Sequence, residues 1–158
     1  MNVKNEISGY DGNRNENIAE LSAIMRNSAR VLHNVIEIVT ENSKVAKRVY
    51  LLIKDIYNVN ARIDDRANAF NRNRLFVVVI DNKVDVILND LAVLDDDNNY
   101  IKTVPSYLID SEEEKRAYLK GLFLSCGSVN DPKTSRYHLE FFVKSLKFYI
   151  SNNQIVIT

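Results

Sequence analysis

The sequence predicts an α+β protein whose second half begins to repeat its first. Three observations predict it. Apolar residues recur at helical spacing in four windows, and β-branched runs separate those windows. A short helix-end motif of large apolar and small residues in fixed order occurs twice, 98 residues apart. The 158 residues include only four Gly and two Pro, which argues against long flexible linkers.

Composition sets the outer bounds. A chain of this length is about one domain and buries roughly two-thirds of its unfolded surface, so it needs no staple. The single cysteine, Cys126, excludes an intrachain disulfide framework and a Cys-rich zinc site, and a reducing cytoplasm is the simplest compartment. Met1 to Tyr10 is polar and lacks the apolar core of a signal peptide. The longest apolar run, Leu75 to Ile80, reads as a buried strand and falls far short of the ~18 residues of a membrane span, so no membrane partner is expected. The 21 basic and 21 acidic residues balance. That balance weighs against a strongly basic nucleic-acid binder but permits a local patch.

The elements follow in order. Val3 to Ser8 predicts a short helix and Gly9 to Asn17 a polar loop. Ile18, Leu21, Ile24 and Met25 set a helix over about Glu16 to Asn27. Ala29–Leu32 and Val35–Thr40, either side of His33-Asn34, predict a hairpin. Asn42 or Ser43 is positioned to cap a helix whose stripe is Val45, Val49, Leu52, Ile53 and Ile56, with Asn58 as its stop. Lys44, Lys47 and Arg48 fall to its wet face. Val59 to Arg66 alternates as a strand, Ala67 to Asn73 is a loop, and Arg74 to Ile80 is the next strand. Asp81 or Asn82 would cap a helix with Val84, Ile87, Leu88 and Leu91. Asp95 to Asn99 reads as a solvated connector. Ser111 and Glu114 form a capping box for a helix that ends near Gly127. Ser135 to Val143 and the tail around Ile155-Val156-Ile157 are β-prone.

The repeat is visible at two helix ends. The first reads Leu21-Ser22-Ala23-Ile24-Met25-Arg26-Asn27-Ser28-Ala29, the second Leu119-Lys120-Gly121-Leu122-Phe123-Leu124-Ser125-Cys126-Gly127. Each has a small third residue, which lets two helix backbones approach more closely than the usual ~8–10 Å. Strand triplets follow at Ile36-Glu37-Ile38 and Leu139-Glu140-Phe141, 103 residues apart, so the second connection is five residues longer. The turn Asn130 to Thr134 is placed to absorb them.

These helix ends resemble the LAGLIDADG motif, and the element order resembles the half-domain of LAGLIDADG homing endonucleases. Resemblance to the WhiA family is closer. It rests on Val3-Lys4-Asn5-Glu6, on Ala19 to Arg26, on Lys115 to Gly121 continued through Gly127-Ser128-Val129-Asn130-Asp131-Pro132, and on Tyr137-His138-Leu139-Glu140. It implies a LAGLIDADG homing-endonuclease-like αββαββα unit with the start of a second, incomplete repeat. Residues 1–95 would be the first repeat with its short N-terminal helix, 96–111 a linker, and 112–158 the partial second repeat. Only 18 residues follow Glu140, and the family's C-terminal helix-turn-helix is absent, so the chain reads as a truncated member. The implied function is a non-catalytic, DNA-associated regulator of cell division, chromosome segregation or sporulation. The alternatives are a protein-interaction scaffold reusing a nuclease fold, or an inactive fragment of the regulator.

The resemblance also locates lost chemistry. Its endonucleases bring an acidic side chain from each motif helix to a metal between the halves. Those positions hold Ser28 and Cys126 here, and a second acid position holds Arg26 and Leu124. None is a carboxylate, and Mg²⁺ wants oxygen ligands of that kind. The expectation is no enzyme, no metal and no cofactor. Cys126 reads as a small buried residue, His33 and His138 as hydrogen-bonded surface histidines, and Asp95-Asp96-Asp97 lacks the spacing of a calcium loop. The candidate DNA contacts are Arg62, Arg66, Arg72 and Arg74, interleaved with Asn68, Asn71 and Asn73, since Arg and Asn reach phosphates and base edges. DNA would be the partner, weakly held in this chain, alongside proteins of the division or transcription machinery, in the cytoplasm at the nucleoid.

Overall fold

Asparagine opens each of the first three helices. The structure is a computed structural model describing residues 2–67, 73–129 and 139–141. Asn2, Asn13 and Asn42 turn a side-chain oxygen onto free amides of a first helical turn, ahead of α1 (Val3–Ile7), α2 (Arg14–Ser28) and α3 (Ser43–Tyr57). Asn13 accepts from the Glu16 amide at 2.9 Å. That cap starts α2 two residues before the first position expected from apolar spacing. At its other end α2 runs without a loop into β1 (Ala29–Leu32). His33 and Asn34, at φ 51° and 60°, make the two-residue turn into β2 (Val35–Thr40), the left-handed pair that a tight hairpin requires.

Asn58 stops α3 in the left-handed conformation, as its sequence position predicted. The next strand was expected from Val59. It begins at Arg62 instead, as β3 (Arg62–Ala67). The reason is the partner: Arg62 already lies opposite Val79 of β4 (Arg74–Ile80), and β4 ends one residue later. Val59 leaves the ladder and is buried in the core. The cap of α4 (Val84–Asp90) also differs from the expected Asp81 or Asn82. Lys83 occupies it at φ 55° with no side-chain cap, and its ammonium donates to the Tyr57 carbonyl at the end of α3, 3.1 Å away. The left-handed Lys83 thus stands between those two side chains and the helix.

The connector at Asp95 is exposed but folded on itself. Its Oδ1 accepts from the Asp97 and Asn99 amides at 2.9 and 2.8 Å. Beyond it Tyr100 and Leu108 are buried, so the stretch between the repeats packs against the protein. The predicted capping box opens α5 (Glu112–Cys126), with Ser111 and Glu114 exchanging bonds of 3.1 Å each way.

Four strands form one antiparallel sheet in the order β1-β2-β4-β3. Alternation sends Ile36, Ile38, Val78 and Ile80 to the face covered by α2 and α3, where they join Leu21, Ile24, Val49, Leu52 and Ile53 in the core. Each such side chain stabilises the fold by roughly 1.5–3 kcal/mol. A second hairpin, β5 (Gly127–Val129) with β6 (Leu139–Phe141), follows α5.

The repeat survives at the level of register. Ala29 pairs Ile38 and Val31 pairs Ile36; Gly127 pairs Phe141 and Val129 pairs Leu139. These are the partners that the two sequence offsets specify. Both helices have 15 residues, and in each the first strand residue still donates its N–H to the carbonyl four residues back. The helices cross at the small residues. A Cβ on Gly121 would lie 2.1 Å from the Glu20 carbonyl oxygen and 3.0 Å from Ala23 Cβ. The β-prone tail around Ile155, and most of the strand expected from Ser135, lie outside the described residues.

Candidate nucleic-acid interface

Strand parity places one row of side chains on the sheet face away from the helices. β1 contributes Arg30, β2 Val35, Glu37 and Val39, β4 Leu75, Val77 and Val79, and β3 Arg62, Asp64 and Arg66. The middle of this face is apolar and its cations stand at the two edge strands. Arg62 Nε lies 2.9 Å and Arg66 Nη2 3.4 Å from the Asp64 carboxylate. The Arg62 hydrogen bond holds the Asp64 carboxyl below the usual carboxylate range. Arg74 has the opposite parity and pairs with Asp65 at 3.5 Å, so the structure divides the arginine cluster between two faces of one hairpin. Arg72, with Asn68 and Asn71, lies outside the described residues. The side chains of Arg62, Arg66 and Arg74 are 62%, 53% and 74% exposed. At that exposure water screens the ion pairs, so they hold the arginines only weakly.

Ser28 and Cys126 are each the last residue of their helix, just ahead of β1 and β5. Burial pushes the Cys126 thiol up, and its Sγ donates to the Leu122 carbonyl at 3.1 Å; a neutral thiol is a poor ligand for a hard cation. Arg26 holds the structure together. Its guanidinium donates to the Ala92 carbonyl at 2.5 Å and the Ile101 carbonyl at 2.6 Å, and lies 5.5 Å from the centre of the Tyr100 ring. Leu124 is buried. Among the described residues no three His, Cys, Asp or Glu side chains are grouped to hold a metal ion. His33 is exposed at its turn, His138 lies outside the described residues, and the Asp95 carboxylate is occupied by loop amides. No helix among these residues is long and apolar enough to cross a membrane.

The least expected feature is a buried ion network at the crossing of α2, α3 and α5. Arg48, predicted on the wet face of α3, is 7% exposed and grips Glu20 through Nε at 3.0 Å and Nη2 at 2.7 Å. Its Nη1 reaches Asp11 at 3.0 Å, and Lys120 of α5 lies 3.2 Å from the same Glu20 oxygen that Nη2 holds. Lys120 also donates to the Tyr10 carbonyl. A signal for Arg48 was present, because it falls three residues after Val45 and four before Leu52, on the apolar stripe.

Arg48 holds the Asp11 carboxyl below its usual value of 3.8. A carboxyl depressed in the folded state contributes stability that is complete above the unfolded pKa and is lost as pH falls through the folded one. The wild-type chain should therefore lose stability below about pH 4 more steeply than Asp11→Asn. Thermal melts between neutral pH and pH 3 check this, and equal slopes would remove Asp11 from the acid response.

Comparison with known proteins places this geometry. Residues 14–94 match the WhiA N-terminal LAGLIDADG-like domain and residues 115–154 the WhiA LAGLIDADG-like domain. A probable cell division protein WhiA of Pediococcus pentosaceus is 38% identical over 98% of this chain and 50% of its own length. One from Staphylococcus carnosus is 39% identical over 89% of this chain and 46% of its own. The chain spans about half the length of the curated relatives it matches. The crystal structure of the N-terminal LAGLIDADG domain of DUF199/WhiA superposes with a TM-score of 0.65 at 20% identity, covering 94% of this chain and 67% of that one. Full-length DUF199/WhiA from Thermatoga maritima gives 0.61 at 20% identity, covering 88% and 42%. A duplicated helix–hairpin register, small residues at the helix crossing and these matches lead to one assignment: the chain belongs to the WhiA family.

Proposed function

We propose that this chain is a non-catalytic, DNA-associated part of a WhiA-type regulator, serving cell division, chromosome segregation or sporulation in the cytoplasm at the nucleoid. The observation that carries the proposal is the pair of helix ends. The LAGLIDADG-like helices end on Ser28 and Cys126, neither a carboxylate, at the positions that the resemblance gives to the endonucleases' acids. Without those oxygens no Mg²⁺ is held against a scissile phosphate, and the retained surface is left to bind. Plasmid incubated with the chain and Mg²⁺ or Mn²⁺ should stay supercoiled. Nicking that copurifies with the chain and disappears in Ser28→Ala/Cys126→Ala would refute the non-catalytic reading.

DNA contact is assigned to Arg62, Arg66, Arg72 and Arg74. Each phosphate contact contributes about 0.9 to the slope of log affinity against log salt, so four cations limit the slope to a magnitude of roughly 4. Competition from Asp64 and Asp65 and the balanced net charge keep the expected affinity in the non-specific range, ~10⁻⁴ to 10⁻⁶ M at physiological salt. Fluorescence anisotropy on two unrelated duplexes across a salt titration measures both quantities. Replacing the four arginines by Ala should weaken both duplexes equally. Selective binding indifferent to those substitutions would place the DNA surface elsewhere. Absence of binding would favour the scaffold reading.

A further inference from the structure

Of the four glycines only Gly12 follows an aspartate or asparagine, and the fold asks for both members of that pair. Asp11 supplies the carboxylate that meets Arg48 Nη1 at 3.0 Å. Gly12 is crossed closely by the first turn of α2. A Cβ there would lie 2.8 Å from Glu16 Cβ, an atom fixed to the helix backbone. An Asp-Gly linkage is also the aspartyl linkage most open to internal attack, because glycine has no Cβ to shield its amide. The Gly12 nitrogen attacks Asp11 Cγ, a C–N bond forms and a Cγ–O bond breaks. The oxygen leaves as water, carrying the proton of the neutral carboxyl and the amide proton. A second water then opens the five-membered imide at either carbonyl and gives aspartate or isoaspartate.

No helix or strand holds this loop, and the Asp11 side chain is 62% exposed. One buried side chain ties it down. Asn17 Oδ1 accepts from the Gly12 N–H at 3.2 Å, and its Nδ2 donates to Asp11 Oδ1 at 3.0 Å and to the Gly12 carbonyl at 3.2 Å. Arg48 in turn donates to Asn17 Oδ1 at 3.2 Å and to Asp11 Oδ1 at 3.0 Å. The attacking nitrogen and the attacked carboxyl are thus both bound to α2, and ring closure needs both to let go. Arg48 opposes the reaction a second time, since its hydrogen bond keeps the Asp11 carboxyl ionised below the usual range.

We propose that Asp11-Gly12 is a latent isoaspartate site, and that Asn17 and Arg48 form the clamp that keeps it unreacted while the chain is folded. Isoaspartate adds a carbon to the main chain and displaces the free carboxyl, so the bonds to Asn17 and Arg48 cannot all re-form. Damage at this loop therefore records the time its clamp has spent open. The clamp does not depend on the DNA reading.

The test keeps the 158-residue chain at neutral pH in buffer and in urea. Peptide mass spectrometry locates isoaspartate, and labelling by an isoaspartyl methyltransferase counts it. In urea the wild type should form isoaspartate at Asp11 ahead of every other position. Folded, it should do so at least roughly tenfold more slowly, a factor equivalent to about 1.4 kcal/mol. Asn17→Ala should raise the folded rate by roughly tenfold, about what the net value of one hydrogen bond allows. Ile80→Val, which loosens the core at β4, should leave the rate near the wild type's. Equal rates in buffer and urea overturn the clamp, as does a folded Asn17→Ala at the wild-type rate or an Ile80→Val that matches Asn17→Ala. Isoaspartate chiefly at another residue in urea overturns the site. Should Asn17→Ala not fold, Asn17→Asp is read instead, since it keeps the shape and loses both donors: a faster rate at Asp11 supports the clamp, and an unchanged one overturns it.

Discussion

Replacing Arg48 by Met is expected to destabilise the fold by about 3–5 kcal/mol, the usual cost of removing one partner from a buried ion pair. The substitution keeps most of the side-chain volume, so the loss is electrostatic. Glu20 is 2% exposed and both its oxygens lie within 3.0 Å of Arg48 donors. Without them its charge faces Lys120 alone, and Asp11 loses the guanidinium 3.0 Å away. At a urea dependence near 2 kcal/mol per molar, the unfolding midpoint should fall by about 2 M. The combined substitution Glu20→Leu/Arg48→Met/Lys120→Met removes the charges together and should recover much of the loss, because no buried ion remains unpaired. A midpoint shift under about 0.5 M for Arg48→Met would mean that water already solvates the network.

Gly121→Leu should cost about 3 kcal/mol, the upper part of the range for overpacking a tight contact. The first added atom alone meets a backbone oxygen at 2.1 Å. That oxygen belongs to the middle of α2 and moves only if the helix moves, whereas a flexible side chain could rotate aside. Gly121→Ala divides the effect. Alanine favours the helix by about 1 kcal/mol over glycine, which partly offsets the clash of its one methyl group. The order of stability should be wild type, then Ala, then Leu, in urea unfolding followed by circular dichroism. Equal midpoints for wild type and Leu would mean the two helices do not touch at this residue.

Much of the fold was legible because its signals act over a few residues. Asn42 caps α3, His33-Asn34 turns the first hairpin, Asn58 ends its helix, and Ser111 with Glu114 opens α5, each through bonds no more than a helical turn long. The repeat was legible for a related reason. The paired strands leave their helices directly, so the offset at the helix ends also sets the register of β1 on β2 and of β5 on β6. The absence of carboxylates at Ser28 and Cys126 is a matter of residue identity, and needs no coordinates.

What the tertiary structure decided concerns groups whose partners lie far along the chain. Arg48 looked like a solvated helix residue because its carboxylate is 28 residues away, and Arg26 takes up a carbonyl 66 residues away. The Val59 strand was cut short by the length of its partner, and the arginine hairpin was divided between two faces by pairing that starts at Arg62. A sequence states which residues carry charge or apolar surface. Whether a charge is buried depends on whether a counter-charge arrives to meet it, and that is set only when α2, α3 and α5 close on one another.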